Sequence, residues 1–334
     1  MKTATKFQEI LPDDVSALLE RHHFSLMSSF YETQSSFLTK NYKTYGDIQT
    51  ASIVLSFVKN THLEIIRQRE KNLNFNVSLE KFWENQSKID KPSDKITLIV
   101  KETGIPKETV RRKMKNLISK GFLIKNPDKG YSWVLNLKEK DFFYKNMIEE
   151  INNVSKLVAK FVKLLNLNLN NSVIQDEIKM QFSFYWYHFL SCQSLWMMSW
   201  QKKLKDTDLL LIILQTIIPT IKNSAQNNNN INLENIFKII GKANYEKNFS
   251  NSSVSATIVS EITGIPRATC VRKLNKLVDL GFLLRESSTK RFYINQNVGA
   301  RTKNVITSEN IKYTIDIYSK FLAIILTSLL HNKK

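Results

Sequence analysis

TGIPKETVRRKMKNLISKGFL, residues 103–123, returns as TGIPRATCVRKLNKLVDLGFL, residues 263–283. Eleven of the 21 aligned positions are identical, and no gap separates the copies. Both copies parse alike. In the first, SDKITLIVKET (93–103) sets a Ser ahead of apolar Ile96, Ile99 and Val100. This predicts a short helix capped by Ser93. Gly104 suits the left-handed residue that ends it, and Pro106 suits the first turn of the next helix. That helix is predicted to run to about Lys120, with Val110, Met114, Leu117 and Ile118 on one face. Gly121 ends it, FLI reads as a strand, NPDKG as a turn and YSWVLN as a second strand. The second copy repeats the order: ATIVSEIT, Gly264, Pro266, a helix with Cys270, Leu274, Leu277 and Val278 inward, Gly281, the strand FLLR, the tip ESSTK and the strand RFYIN. Helix, tight turn, helix and two-stranded hairpin make a winged helix-turn-helix.

Helix geometry then sorts the polar residues. With Val110, Met114 and Leu117 inward, Lys107, Thr109, Arg111 and Arg112 face outward from the first copy. Arg267, Thr269, Val271 and Arg272 take those places in the second. A helix fits the major groove of duplex DNA and its N-terminal residues reach base edges first. Arg pairs bidentately with guanine, while Thr and Lys more often hold phosphate. Lys113 and Lys273, nearer the buried flank, are expected to touch the DNA backbone. Lys129 on one hairpin, and Arg285, Lys290 and Arg291 on the other, are expected at phosphates or the minor groove. Cys270 aligns with Val110 and is expected to be a small core residue.

The similarity extends beyond the motif. SLEKFW (78–83) matches NLENIF (232–237), and QSSFLTKNYKTYGDIQ (34–49) follows the pattern of QSLWMMSWQKKLKDTD (193–208). After each hairpin comes an amphipathic helix. Its stripe is Phe143, Met147, Ile151, Val154, Leu157, Val158, Phe161 and Leu165 in one case and Ile311, Ile315, Tyr318, Leu322, Ile325 and Leu329 in the other. The expected fold is mainly α with small β-hairpin wings. Two helical units, 1–170 and 171–334, hold winged helices at about 79–136 and 233–297 and join through the long amphipathic helices as a fused pseudo-dimer. LLNLNLNNS (164–172) is the expected junction, and QNNNNIN (226–232) a low-complexity surface loop.

A formal charge of +19 on 334 residues points to a polyanionic partner. Lys is abundant throughout, alongside Asn and Ile, so Arg is the sharper indicator. Six of the ten arginines, Arg111, Arg112, Arg267, Arg272, Arg285 and Arg291, lie in the two motifs or their hairpins. Two cysteines, Cys192 and Cys270, make no disulfide framework, which fits a reducing cytoplasm. MKTATKFQEILPDD has no apolar core of a signal peptide. FSFYWYHFLSCQSLWMMSW (182–200) reads as a buried helix, so no membrane span is expected. Its Trp186, Trp196 and Trp200 are expected in a core between the units, with an effector pocket as the alternative. An enzyme is not expected. Gly241-Lys242 lacks the upstream glycine of a phosphate loop, and there is no HExxH, nucleophile elbow or framed carboxylate pair. His22 and His23 have no spaced ligands around them, so no metal or other cofactor is expected.

GIP-[KR]-x-T-x-x-RK-x-x-x-L-x-x-x-GFL resembles the recognition helix and first wing strand of winged-helix transcription regulators of the MarR and IclR types, over about 45 residues per unit. The long helices on both sides are similar to the MarR arrangement, in which terminal helices build a dimer interface and the DNA-binding lobes project from it. Two copies on one chain depart from that pattern, as does Glu108 where the second copy has Ala268. The resemblance implies sequence-specific binding of double-stranded DNA in transcriptional control. It leaves a small-molecule effector and further homodimerisation open. Two other readings are a plasmid- or phage-type replication initiator with tandem winged helices, and a winged-helix adaptor of a chromosome-organising complex.

Overall fold

The computed structural model describes residues 9–84, 89–135, 139–167, 169–227, 252–295 and 308–331. The segment 232–237, Gly241-Lys242, the first part of the second motif region (233–251) and its last residues (296–297) lie outside the described residues.

The chain is mainly helical, with two small antiparallel hairpins. The first half runs α1 (Pro12–Arg21), α2 (His23–Tyr45), α3 (Ile48–Lys71), α4 (Leu79–Glu84), α5 (Ile96–Thr103), α6 (Lys107–Ser119), β1 (Leu123–Lys125), β2 (Tyr131–Trp133) and α7 (Lys140–Leu164). The second runs α8 (Asn171–Met180), α9 (Phe182–Leu204), α10 (Asp208–Asn227), α11 (Ala256–Thr263), α12 (Arg267–Asp279), β3 (Leu283–Arg285), β4 (Phe292–Ile294) and α13 (Ser308–His331). Paired starts keep an almost constant spacing: Pro12 and Asn171, His23 and Phe182, Ile48 and Asp208, Ile96 and Ala256, Lys107 and Arg267, Leu123 and Leu283.

The two halves interlock. α3 packs on α9 while α10 packs on α2, and α1 lies on α13 while α8 lies on α7. These four contacts form two matching pairs, since α1 and α8, α2 and α9, α3 and α10, and α7 and α13 hold like places in the two halves. The Ile48 N–H donates to Asp208 Oδ1 at 3.1 Å, so two positions 160 residues apart touch each other.

The core of this interface is aromatic. Trp196 meets Phe30 edge-on at 5.9 Å, Phe37 meets Phe189 at 5.3 Å, and Phe30 meets Tyr318 at 3.8 Å. Trp186, Trp196 and Trp200 are all buried. Such pairs gain from quadrupole alignment beyond their buried area. In α7, Ile151, Val154, Leu157, Val158 and Phe161 are buried; in α13, Ile315, Tyr318, Leu322, Ile325 and Leu329 are. The segment Ile311–His331 is long and apolar enough to cross a bilayer by length and composition, yet most of it is buried within the fold. By hydropathy it, rather than 182–200, is the candidate span.

Candidate nucleic-acid interface

α5, α6 and the β1–β2 hairpin form one head, and α11, α12 and the β3–β4 hairpin the other. The turn between the two helices of each head is built from the repeated TGIP. Thr103 Oγ1 donates to the Ile99 carbonyl at 2.7 Å and accepts from the Ile105 N–H at 3.3 Å. Thr263 does the same with Val259 and Ile265. Gly104 and Gly264 sit at φ +68° and +76°, the left-handed region that L side chains enter at a cost. A Cβ on Gly104 would meet Met198 of α9 at 3.5 Å, and one on Gly264 would meet Lys43 of α2 at 3.1 Å. Each head therefore rests its turn on the second helix of the opposite half.

α6 buries Val110, Met114 and Leu117, and α12 buries Cys270, Leu274 and Leu277. Both end on the same C-cap: the Phe122 N–H reaches the Leu117 carbonyl and the Phe282 N–H the Leu277 carbonyl, each at 2.9 Å. Each hairpin gains a one-residue third strand, Asp94 opposite Tyr131 and Val254 opposite Phe292. A single bridge leaves no alternating pattern in the sequence, so this strand had no signal. The second hairpin is one residue longer, since Leu123 pairs Trp133 but Leu283 pairs Ile294. Its tip residue Lys290, like Lys129 on the first, has a positive φ and is exposed.

Ser93 does not cap α5. Lys95 stands at the N-cap with no side-chain bond, and Ser93 Oγ instead donates to Asp128 in the hairpin turn at 2.7 Å. The second copy has Ser255 at the equivalent position, and that side chain does cap, accepting from the Ile258 N–H.

Lys113 and Lys273 were expected on the DNA backbone and are instead engaged internally. Lys113 Nζ bonds both Asp47 oxygens at 2.7 and 2.8 Å and Thr50 Oγ1 at 2.9 Å. Lys273 Nζ bonds both Asp206 oxygens at 2.7 and 2.9 Å and Asp208 Oδ2 at 3.3 Å. Both lysines point back from the flank of the helix, where a desolvated ammonium needs a carboxylate. The acids open α3 and α10, so each lysine ties its head to the start of one of them. Burial raises the Asp47 carboxyl, but Lys113 and Thr50 outweigh it and hold the group below its usual range. Burial dominates at Asp208 and pushes it up, against the Ile48 N–H and Lys273. One sequence signal marked these clamps: acids at the start of the third helix of both halves.

Arg291 also has internal partners. Its Nε donates to Ser253 Oγ at 2.7 Å and its Nη2 to the Ser253 carbonyl at 2.6 Å, so it fastens the third strand to the hairpin. Arg267 keeps an exposed position at the start of α12 while its Nε bonds Thr257 Oγ1 at 3.1 Å. Arg285 is exposed, with its guanidinium 5.6 Å from the Phe292 ring centre.

The outward set is what remains. Lys107, Arg111 and Arg112 are exposed on α6 and Arg272 on α12, with Thr109 and Thr269 half-buried. Arg111 Nη1 bonds Glu108 at 3.0 and 3.2 Å across one helical turn. Among the described residues, no hydrogen bond or ion pair engages Arg112 or Arg272. Sequence reasoning passed over Lys115, also exposed on this face of α6. Cys270 is buried, burial raises its thiol pKa, and its Sγ lies 3.4 Å from the Ile265 carbonyl.

A cavity of about 230 Å³ lies where the end of α3, α4 and the start of α9 meet, lined by Ile65, Phe75, Phe82, Ile89 and Ser183 with asparagines at its rim. Among the described residues, no three His, Cys, Asp or Glu side chains are placed to hold a metal ion. Comparison with protein-family models, with curated proteins and with solved structures finds no match to this chain.

Proposed function

We propose that this chain is a sequence-specific double-stranded DNA-binding regulator of transcription, with two winged helix-turn-helix heads fused into a pseudo-dimer. The observation that carries the reading is the pair Arg112 and Arg272. They occupy equivalent places on two matching helices, are exposed, and have no partner among the described residues. An exposed arginine face on a helix that projects from a small head has the shape and the donors that a major groove accepts. The reciprocal packing of the halves supports the pseudo-dimer, because it is how two separate chains would meet across a two-fold axis. Two of the repeated polar residues, Thr103/Thr263 and Lys113/Lys273, have internal roles and carry no weight in this reading. Cytoplasmic location and action without a cofactor belong to the same proposal.

Fluorescence anisotropy with a labelled duplex over a salt series tests it. Each neutralised phosphate contributes a slope of about −0.9 in log K against log salt, and roughly five to ten such contacts are expected across two heads. Arg112→Ala and Arg272→Ala should each weaken specific binding by about 1–3 kcal/mol with folding intact. A slope near zero, or no duplex binding at low salt, refutes the reading and favours a protein-binding adaptor.

A further inference from the structure

The outward stripe of each helix consists of residues one turn apart. On α6 it is Glu108, Arg111, Arg112 and Lys115, all exposed. On α12 the equivalent positions hold Ala268, Val271, Arg272 and Asn275, exposed or half-buried. The α6 stripe lies opposite the buried stripe of its helix; on α12 Ala268 and Arg272 are exposed, Asn275 is half-buried, and Val271 is half-buried with part of its side chain against the core. Only the arginine is shared. The other three positions differ in chemistry and not merely in size.

We infer that these stripes are the specificity sets of the two heads and that they select different bases: a G·C-rich half-site under α6 and an A·T-rich half-site under α12. The inference rests on the DNA-binding reading above. A major groove offers guanine O6 and N7 to arginine, the cytosine amino group to a carboxylate, the thymine methyl to apolar side chains, and adenine N6 and N7 to an asparagine amide. Arg112 and Arg272 then read a guanine common to both half-sites. Arg111, held by its two bonds to Glu108, presents an oriented fork to a second guanine, and Glu108 has further lone pairs for a cytosine amine. Ala268 and Val271 offer methyl groups and no donor or acceptor, which suits thymine. Asn275 adds the adenine contact. Lys115, a point charge on the α6 side alone, strengthens that head's grip on phosphate or guanine. Because the heads share one chain, neither helix is bound by the symmetry that makes a homodimer's two half-sites equal.

Two transplants test this on the full chain, with duplexes selected from a random pool. Glu108→Ala/Arg111→Val/Lys115→Asn places the second stripe on the first head, and Ala268→Glu/Val271→Arg/Asn275→Lys does the reverse. All substituted residues but Val271 stand clear of the core; Val271 is half-buried against it, so thermal melting checks that the fold survives, and Ala268→Glu/Asn275→Lys without the change at Val271 gives a second variant for that head. Wild type should select one G·C-rich and one A·T-rich half-site. The first transplant should yield two A·T-rich half-sites and the second two G·C-rich ones, with preferences changed by about tenfold to a hundredfold at the affected base pairs. If both transplants bind duplex with salt dependence intact and unchanged base preferences, the stripes are not the reading surface and this inference falls while DNA binding stands. If wild type binds no duplex at low salt, the underlying reading falls with it.

Discussion

Replacing Lys273 by Met separates the role its geometry gives it from the one its sequence position suggested. The ammonium is nearly enclosed, with 9% of its side chain exposed, and serves Asp206 and Asp208 at once. Met keeps most of the aliphatic stem and removes the charge. Among the described residues, Lys276 is then the one cation left in reach of Asp206, at 3.9 Å. Stranding a buried ion by removing its partner costs about 3–5 kcal/mol. Asp206 and Asp208 retain 29% and 19% exposure, so water recovers part of that loss. A destabilisation of about 2–3 kcal/mol is expected. For a cooperative transition of 334 residues this is a fall in Tm of about 3–4 °C. Urea denaturation gives the energy, and thermal melting the Tm. Adding Asp206→Asn should restore part of the loss, since a neutral amide needs no cation. Unchanged stability in Lys273→Met together with a tenfold loss of DNA affinity would refute the clamp and return Lys273 to the DNA surface.

Lys113→Met should cost less than Lys273→Met, about 1–2 kcal/mol, because Asp47 is one-third exposed and keeps Thr50 as a donor; parallel urea curves decide it. The clamps should also respond oppositely to acid. Asp47 titrates below its usual 3.8, so its stabilisation is complete above that value and is lost as pH falls through the folded value below it. Asp208 titrates above 3.8, so its contribution favours the fold at low pH and is lost as pH rises through the folded value. Asp47→Asn should flatten the acid limb of a stability–pH curve below 3.8, and Asp208→Asn should remove the opposing trend above it. Gly264→Ala should cost about 1–2 kcal/mol in chemical denaturation, from left-handed strain plus displacement of the Lys43 stem, and Gly104→Ala slightly less because its Cβ meets only an ordinary contact. Trp196→Ala, which opens the interface between the halves against Phe30, should cost about 3–5 kcal/mol and lower the melting temperature of the whole chain in one transition.

The heads were legible because everything that shapes them is local. The apolar spacing of Val110, Met114 and Leu117, the glycines at 104 and 264 and the hairpin turns all act within a few residues of themselves. What stayed hidden depends on distance along the chain. Lys113 and Lys273 carry the same charge as Arg112 and Arg272, and only partners 65 to 67 residues away reveal that the lysines face inward. The internal bonds of Arg291 were hidden for the same reason: its partner Ser253 sits before α11, 38 residues upstream. The amphipathic stripes of α7 and α13 were visible as faces in need of burial, but periodicity does not say what covers them. The answer, α8 on α7 and α1 on α13, is a property of the pairing of the halves. Ser93 shows the limit of cap rules: α5 starts at Ile96, so Ser93 stands two residues ahead of the N-cap and its hydroxyl bonds the hairpin carboxylate of Asp128.

Footprinting on selected duplex, with light scattering to count chains, tests the central claim most directly. If the two heads enter successive major grooves, about one turn of DNA or roughly 34 Å apart, a single chain should protect about 20 base pairs per site, over two related but unequal half-sites. A strict palindrome bound by two chains, each with one head on the DNA, would contradict the fused pseudo-dimer.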